Sequence, residues 1–220
     1  MEAILVSSIT KAYAGTRVLA EATLAVGEGE RVVIFGPTGS GKTTLLYVLA
    51  GLVRPDAGRV RLFGQEASGN GCSMPPEARR IGMVFQRALL WPHMNARGNV
   101  EFALYRESLR RTERKSRALE AMALFGVEDL AERRPETLSG GQAQRVALAR
   151  SVAARPKILL WDEPFTGLDG ATRDDAAASA VEFARRMNTT IIAVSHHAED
   201  AEALEARRLV IKDGILDEMR

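Results

Sequence analysis

The sequence predicts an α/β fold in which a parallel, helix-covered sheet is joined to an N-terminal antiparallel β layer and carries an inserted helical lobe. Three observations carry this. Residues 31–35, 158–161 and 190–195 are short runs dense in β-branched and apolar side chains, the pattern of strands buried on both faces. The first and third lead through turns into the helical stretches 43–50 and 197–204, and strand-turn-helix units of this kind build a parallel sheet. Between about Gln86 and Arg155 the patterning turns helical, with Ala, Leu, Arg and Glu dominant over residues 114–125 and 140–154.

Ahead of the first buried run, residues 3–9 and 18–26, together with 59–63 after it, alternate in polarity between Gly-containing turns and make the antiparallel layer. Gly, Ser and Pro concentrate between Ala67 and Pro76, and residues 176–180 form an Ala-rich helix, not a linker. The chain has 220 residues, 46% apolar and 26% charged, with 30 basic and 28 acidic side chains and a net charge of +2. A soluble globular protein has these proportions, and a chain of this length buries roughly 70% of its unfolded surface. The small net charge argues against a dedicated nucleic-acid binder, so no nucleic-acid partner is expected. The basic run Arg110, Arg111, Arg114, Lys115, Arg117 reads as a solvated helix face. Cys72 is the single cysteine and has neither a disulfide partner nor metal-ligand spacing, which fits a reducing cytoplasm. No window approaches the ~18–20 apolar residues of a membrane span, and Met1-Glu2-Ala3 lacks a secretion profile. The expectation is that the chain neither spans a membrane nor is exported.

Directly after the first buried run comes Gly36-Pro37-Thr38-Gly39-Ser40-Gly41-Lys42-Thr43, followed by Thr44, which satisfies G-x-x-x-x-G-K-[ST] between a strand and a helix. The glycines turn backbone N–H groups toward phosphate oxygens, the helix presents its positive end, Lys42 reaches the β and γ phosphates, and the Thr43 hydroxyl is placed for Mg²⁺. The pattern predicts the phosphate loop of a P-loop NTPase. Such a site needs a second carboxylate at the end of a neighbouring buried strand. Residues 158–163, Ile-Leu-Leu-Trp-Asp-Glu, supply Asp162 for the magnesium and, one residue on, Glu163 as general base.

A second anion site stands at Leu138-Ser139-Gly140-Gly141-Gln142, where a serine hydroxyl and two glycine amides open a helix. Capping logic alone reads it as an ordinary serine-capped helix start. Followed by Gln144, Arg145 and Ala147-Leu148-Ala149-Arg150, it closely resembles the signature of the nucleotide-binding subunit of an ABC transporter. The resemblance runs from Tyr13 to about Gly214 with the motifs in the family's order. It implies ATP as the nucleotide and a RecA-like parallel core of residues 1–86 and 156–220, which includes the β layer. The lobe is then residues 87–155, all within one ATPase domain spanning 1–220. Tyr13, 29 residues before Lys42, matches the adenine-stacking aromatic. Gln86 matches the glutamine that senses magnesium and the attacking water, Asp169 of Gly167-Leu168-Asp169 the loop between subunits, and His196 the histidine on the γ phosphate. The next residue is His197 where many relatives have Asp, and strand alternation is expected to point it away from the nucleotide.

One phosphate loop and one signature per chain imply a head-to-tail dimer with two ATP molecules sandwiched between Lys42 of one copy and Ser139 of the other. The resemblance further implies integral membrane permease subunits, a solute-binding protein, and a peripheral place on the cytoplasmic face of the inner membrane. Leu89-Leu90-Trp91-Pro92-His93-Met94, with Asn99-Val100 following, resembles the Phe-Pro-His-Met segment of bacterial importer cassettes, with Trp91 in place of Phe. Import is therefore preferred, with an exporter or a lipid- or lipoprotein-extracting complex as the alternative, and Trp91 is the expected anchor for a permease helix. The chain ends at Arg220 without room for a C-terminal regulatory domain, so feedback through one is not expected. The 97 residues between Lys42 and Ser139 leave no space for the coiled-coil arms of chromosome or repair ATPases. A single motif set sets the chain apart from two-cassette ribosome-associated factors.

Overall fold

Two sheets and six α-helices are present among the described residues, 1–69 and 71–219, of the computed structural model. Asn70, within the Gly/Ser/Pro-rich stretch, and the chain end at Arg220 lie outside the described residues. The antiparallel sheet is ordered β2-β1-β4-β5-β6, from β1 (Glu2–Tyr13), β2 (Thr16–Gly27), β4 (Ala57–Leu62), β5 (Gln65–Gly69) and β6 (Cys72–Ser73). The second sheet runs β11-β10-β3-β9-β8-β7, from β3 (Arg31–Phe35), β7 (Ile81–Val84), β8 (Ile158–Asp162), β9 (Thr190–Val194), β10 (Arg207–Lys212) and β11 (Ile215–Glu218). It is parallel from β10 to β7, with β11 as an antiparallel edge.

The parallel strands sit between two hydrophobic layers, and their alternation divides each strand between them. Val32, Ile34, Ile158, Leu160, Ile192 and Val194 face α1 (Lys42–Ala50) and the antiparallel sheet. Val33, Leu159, Trp161, Ile191 and Ala193 face the other helices. Every residue of β8 and β9 is buried, which is why both read as unbroken apolar runs. Helix α1 lies between the two sheets with Leu45, Leu46, Val48 and Leu49 inaccessible, each leucine worth about 1.5–3 kcal/mol of burial. The phosphate loop therefore hangs on a strand with a fully buried centre and on a helix held between two sheets.

On the other face, α2 (Ala96–Phe102), α3 (Arg111–Leu124) and α4 (Gly140–Ala153) pack on one another between β7 and β8, and α5 (Gly170–Met187) and α6 (Glu199–Ala203) complete the layer. Trp161 on β8 is fully buried, and its indole N–H donates to Ser151 Oγ of α4 at 3.2 Å. This joins the strand that ends in Asp162 to the helix that begins after Ser139. The expected helix over 197–204 is shorter, because the chain first makes a turn at Ser195 through His197.

Candidate functional site

Backbone conformation shapes the loop after β3. Gly36 has φ 156°, and a Cβ there would stand 2.4 Å from Ile211 O; Gly41 has φ 104°, with Val18 O at 2.5 Å from such a Cβ. Only glycine fits at either place. Lys42 is 6% exposed and folds back over the loop, its ammonium donating to Gly36 O at 2.7 Å and Pro37 O at 2.9 Å. Burial pushes its pKa down, and the charges of Glu163 and Asp162 oppose that shift. Ser40 Oγ is buried without a hydrogen-bond partner. A buried cation resting on neutral carbonyls and an orphan hydroxyl, inside a loop that excludes side chains, fit a chain of phosphates. Pro37, Thr38 and Gly39 lie exposed at the loop's rim, and Thr43 and Thr44 are half-buried on the first turn of α1.

Asp162 ends β8 and is 3% exposed, with the Thr43 hydroxyl beside its carboxyl. Among the described residues, no group of three His, Cys, Asp or Glu could hold a metal by itself. Thr43 and Asp162 fit a magnesium ion whose remaining oxygen ligands are phosphates and water. Burial raises the Asp162 carboxyl above the usual range, against the neighbouring Thr43 hydroxyl and the Lys42 charge. Its stabilising contribution is therefore complete below the ordinary carboxylate pKa and is lost as pH rises through the elevated one. Asp162→Asn is expected to raise the melting temperature of the nucleotide-free chain at pH 7 by about 2–4 °C, the shift that ~1 kcal/mol gives at this size. Calorimetry checks it, and the gain should disappear below pH 4, where both side chains are neutral, the ordinary carboxylate value being about 3.9.

Glu163 stands beyond the strand with φ 49°, its N–H donating to Val194 O at 3.0 Å, so the backbone is turned left-handed and locked to β9. Three side chains converge on its carboxylate. His196 Nε2 lies 2.8 Å from Oε1, while Thr166 Oγ1 and Gln86 Nε2 lie 3.3 and 3.5 Å from Oε2. The strand β9 ends at Val194, so alternation does not separate the two histidines. The Ser195 hydroxyl does: it accepts from His197 N–H at 2.9 Å and donates to the buried Asp200, which sets the turn that carries His196 toward Glu163.

The remaining expected residues lie apart from this cluster. Tyr13 ends β1 as a 46% exposed residue, with Lys11 Nζ 5.4 Å from its ring centroid. Its hairpin reaches the loop where Val18 and Leu19 meet Gly41. Ser139 caps α4 in a reciprocal box, its N–H donating to Gln142 Oε1 at 2.9 Å and its Oγ accepting from Gln142 N–H at 3.2 Å. Ser139 and Gly140 are exposed, and Gly141 packs on Gly167 O. Asp169, also exposed, caps α5 by accepting from Thr172 N–H at 2.9 Å, which holds its carboxyl below the usual range. Among the described residues no hydrogen bond or ion pair joins Ser139–Gln142 or Asp169 to Lys42, Thr43, Asp162 or Glu163. Sequence reading does not single out Thr166, Ser195 or Asp200: Thr166 lies only 3 residues from Glu163 and Ser195 only 5 from Asp200, yet the sequence does not mark which way either hydroxyl turns.

Trp91 departs from its expected exposure. Its ring is half-buried, 4.4 Å from that of Phe102 and beneath the Arg150 guanidinium at 5.0 Å, while Asn99 Oδ1 accepts from its backbone N–H at 2.7 Å. The outward apolar side chains here are Leu89, Phe102 and Tyr105, at 55%, 45% and 62% exposure.

Comparison with known proteins gives a consistent result. The family profile described as "ABC transporter" matches residues 19–166. A spermidine/putrescine import ATP-binding protein of Marinobacter nauticus is 39% identical over 213 residues, covering 97% of this chain and 56% of that protein. A putrescine transport ATP-binding protein of Escherichia coli is 39% identical over 209 residues, 95% of this chain and 54% of that protein. An Fe(3+) ions import ATP-binding protein of Rhizobium meliloti is 37% identical over 211 residues, 96% and 59%. The chain thus spans somewhat over half the length of these curated relatives. Among solved structures, a dimeric post-hydrolysis state of an ATP-binding cassette bound to ADP and Pi superposes with a TM-score of 0.89 at 33% identity over 99% of both chains. A dimeric bacterial ABC transporter cassette gives 0.88 at the same identity and coverage.

Proposed function

The chain belongs to the ABC transporter family, and from that premise we propose that it hydrolyses ATP to drive solute transport, most simply import, through separate membrane subunits. The observation that carries this is the convergence of His196, Gln86 and Thr166 on Glu163, beside Asp162 and the Lys42 loop. Glu163 takes the proton of the attacking water. His196, at 2.8 Å, holds the carboxylate in place and would meet the γ phosphate, and Gln86, whose amide nitrogen is turned to Glu163, keeps its amide oxygen for water or ion. Lys42 exchanges its two loop carbonyls for phosphate oxygens, which return a charge-assisted contact for the burial of its ammonium. Thr43 and Asp162 would hold a magnesium ion, which would supply positive charge against the phosphates. Tyr13 offers an open ring face for adenine. Phosphate release by the purified chain with magnesium and ATP tests the reading.

Ser139, Gly140 and Asp169 are exposed, and among the described residues no hydrogen bond or ion pair joins them to this copy's nucleotide site. They are completed by a second copy in head-to-tail arrangement, which sets Ser139 of the partner subunit opposite Lys42. Import agrees with the names of the relatives above. Among the described residues no helix is long and apolar enough to cross a membrane, so the motion passes to permease subunits, and residues 87–155 are taken as the lobe that passes it. On this reading the chain works on the cytoplasmic face of the membrane, with a solute-binding protein delivering cargo from the other side.

The docking surface for a permease helix is assigned to Leu89, Phe102 and Tyr105, with Trp91 as their inner support. Tyr105→Ala should leave ATPase and melting temperature near the parent values while weakening co-purification with the membrane subunits. Trp91→Ala should lower the melting temperature by about 4–8 °C, as ~2 kcal/mol of lost packing requires. A Tyr105→Ala chain that still co-purifies in full would contradict the assignment.

A further inference from the structure

Arg150 lies 11 residues after Ser139 on α4, and its guanidinium reaches across to the segment that follows Gln86. It donates to Ala88 O at 2.8 Å and Leu89 O at 2.9 Å and covers the Trp91 ring at 5.0 Å. Among the described residues no carboxylate pairs with it, and burial pushes it down to about 10. A cation is being kept half-buried on carbonyls and a ring alone. One of those carbonyls belongs to Leu89, which has φ 43°, a left-handed backbone that a side-chain-bearing residue keeps only when its surroundings hold it there. At the other end of α4, Gln144 Nε2 donates to Pro164 O at 3.0 Å, next to Glu163. A single 14-residue helix thus grips the segment after Gln86 at one end and the segment after Glu163 at the other, with Ser139 at its tip.

We propose that Arg150 is the positioning residue that makes the Gln86–Trp91 segment and the signature helix α4 move as one body, so that a change at Gln86 shifts Ser139. The proposal rests on the reading above that Gln86 and Glu163 meet the γ phosphate and that Ser139 serves the partner subunit. Lysine at this position keeps the charge but loses the paired donors and the planar stack.

The test reads an environment-sensitive thiol dye at Ser139→Cys, in a Cys72→Ser background, on adding magnesium and the non-hydrolysable analogue AMP-PNP to the full chain. The same labelled chain without nucleotide serves as the blank. Nucleotide affinity is measured separately by calorimetry. The parent is expected to show a nucleotide-dependent change. Arg150→Lys and Arg150→Met should bind AMP-PNP within about 2-fold of the parent, yet lose the emission change by about 5-fold or more, the scale of a typical coupling between sites. An undiminished change in Arg150→Lys overturns the proposal, as does a parent whose dye emission at position 139 ignores the nucleotide. So does a loss of affinity in step with the emission, which would make Arg150 part of the nucleotide site, or failure of both variants to fold, which would make it a structural residue. A parent that binds no nucleotide at all contradicts the ATPase reading instead.

Discussion

Glu163→Gln is expected to lower ATP turnover by about 10²–10⁴ while leaving ATP bound, the usual range for removing a positioned general base. The amide keeps the side chain's size and its contacts to Thr166 and Gln86, so the loop, Asp162 and the fold remain as they are. What it cannot do is take a proton, and its contact with His196 loses the charge that strengthens it. Phosphate release and filter-bound ATP on the same preparation separate the two effects. Turnover at the parent rate would remove Glu163 from the mechanism.

Lys42→Ala is expected to act earlier, at binding, and to lower ATP affinity and turnover together by about 10²–10³, the scale of one lost charge-stabilising donor. The nucleotide-free fold should tolerate it, because the ammonium is held by only two neutral carbonyls and its burial is unfavourable. An unchanged melting temperature with lost affinity supports the assignment. Unchanged affinity would contradict it.

The parallel core could be read from the sequence because β8 and β9 are buried on both faces, and such strands announce themselves as unbroken apolar runs. The phosphate loop was equally legible, since its glycines answer a local backbone demand that no distant contact alters. Less visible were β10 and β11, which carry charged residues at the sheet's edge; the Asp213-Gly214 pair, both with positive φ, is the hairpin signal that could have found them. The site divides the same way. Asp162 and Glu163 follow from their place at a strand end, whereas the clamp of His196, Thr166 and Gln86 on Glu163 is made by residues 33, 3 and 77 positions away. Trp91 shows the limit in the other direction. An apolar run after a strand looks exposed until Phe102 and Arg150, from two different helices, are found packed on it.

The central claim is that ATP is hydrolysed between two copies of this chain, each supplying what the other lacks. The mass in solution of the Glu163→Gln chain, by light scattering on a sizing column with and without magnesium and ATP, tests it most directly. With ATP the account predicts a species of twice the chain's mass, reverting to the single mass when Ser139→Trp blocks the signature or when ATP is withheld. A chain that saturates with ATP and stays at the single mass, or a double-mass species indifferent to both ATP and Ser139, would contradict it.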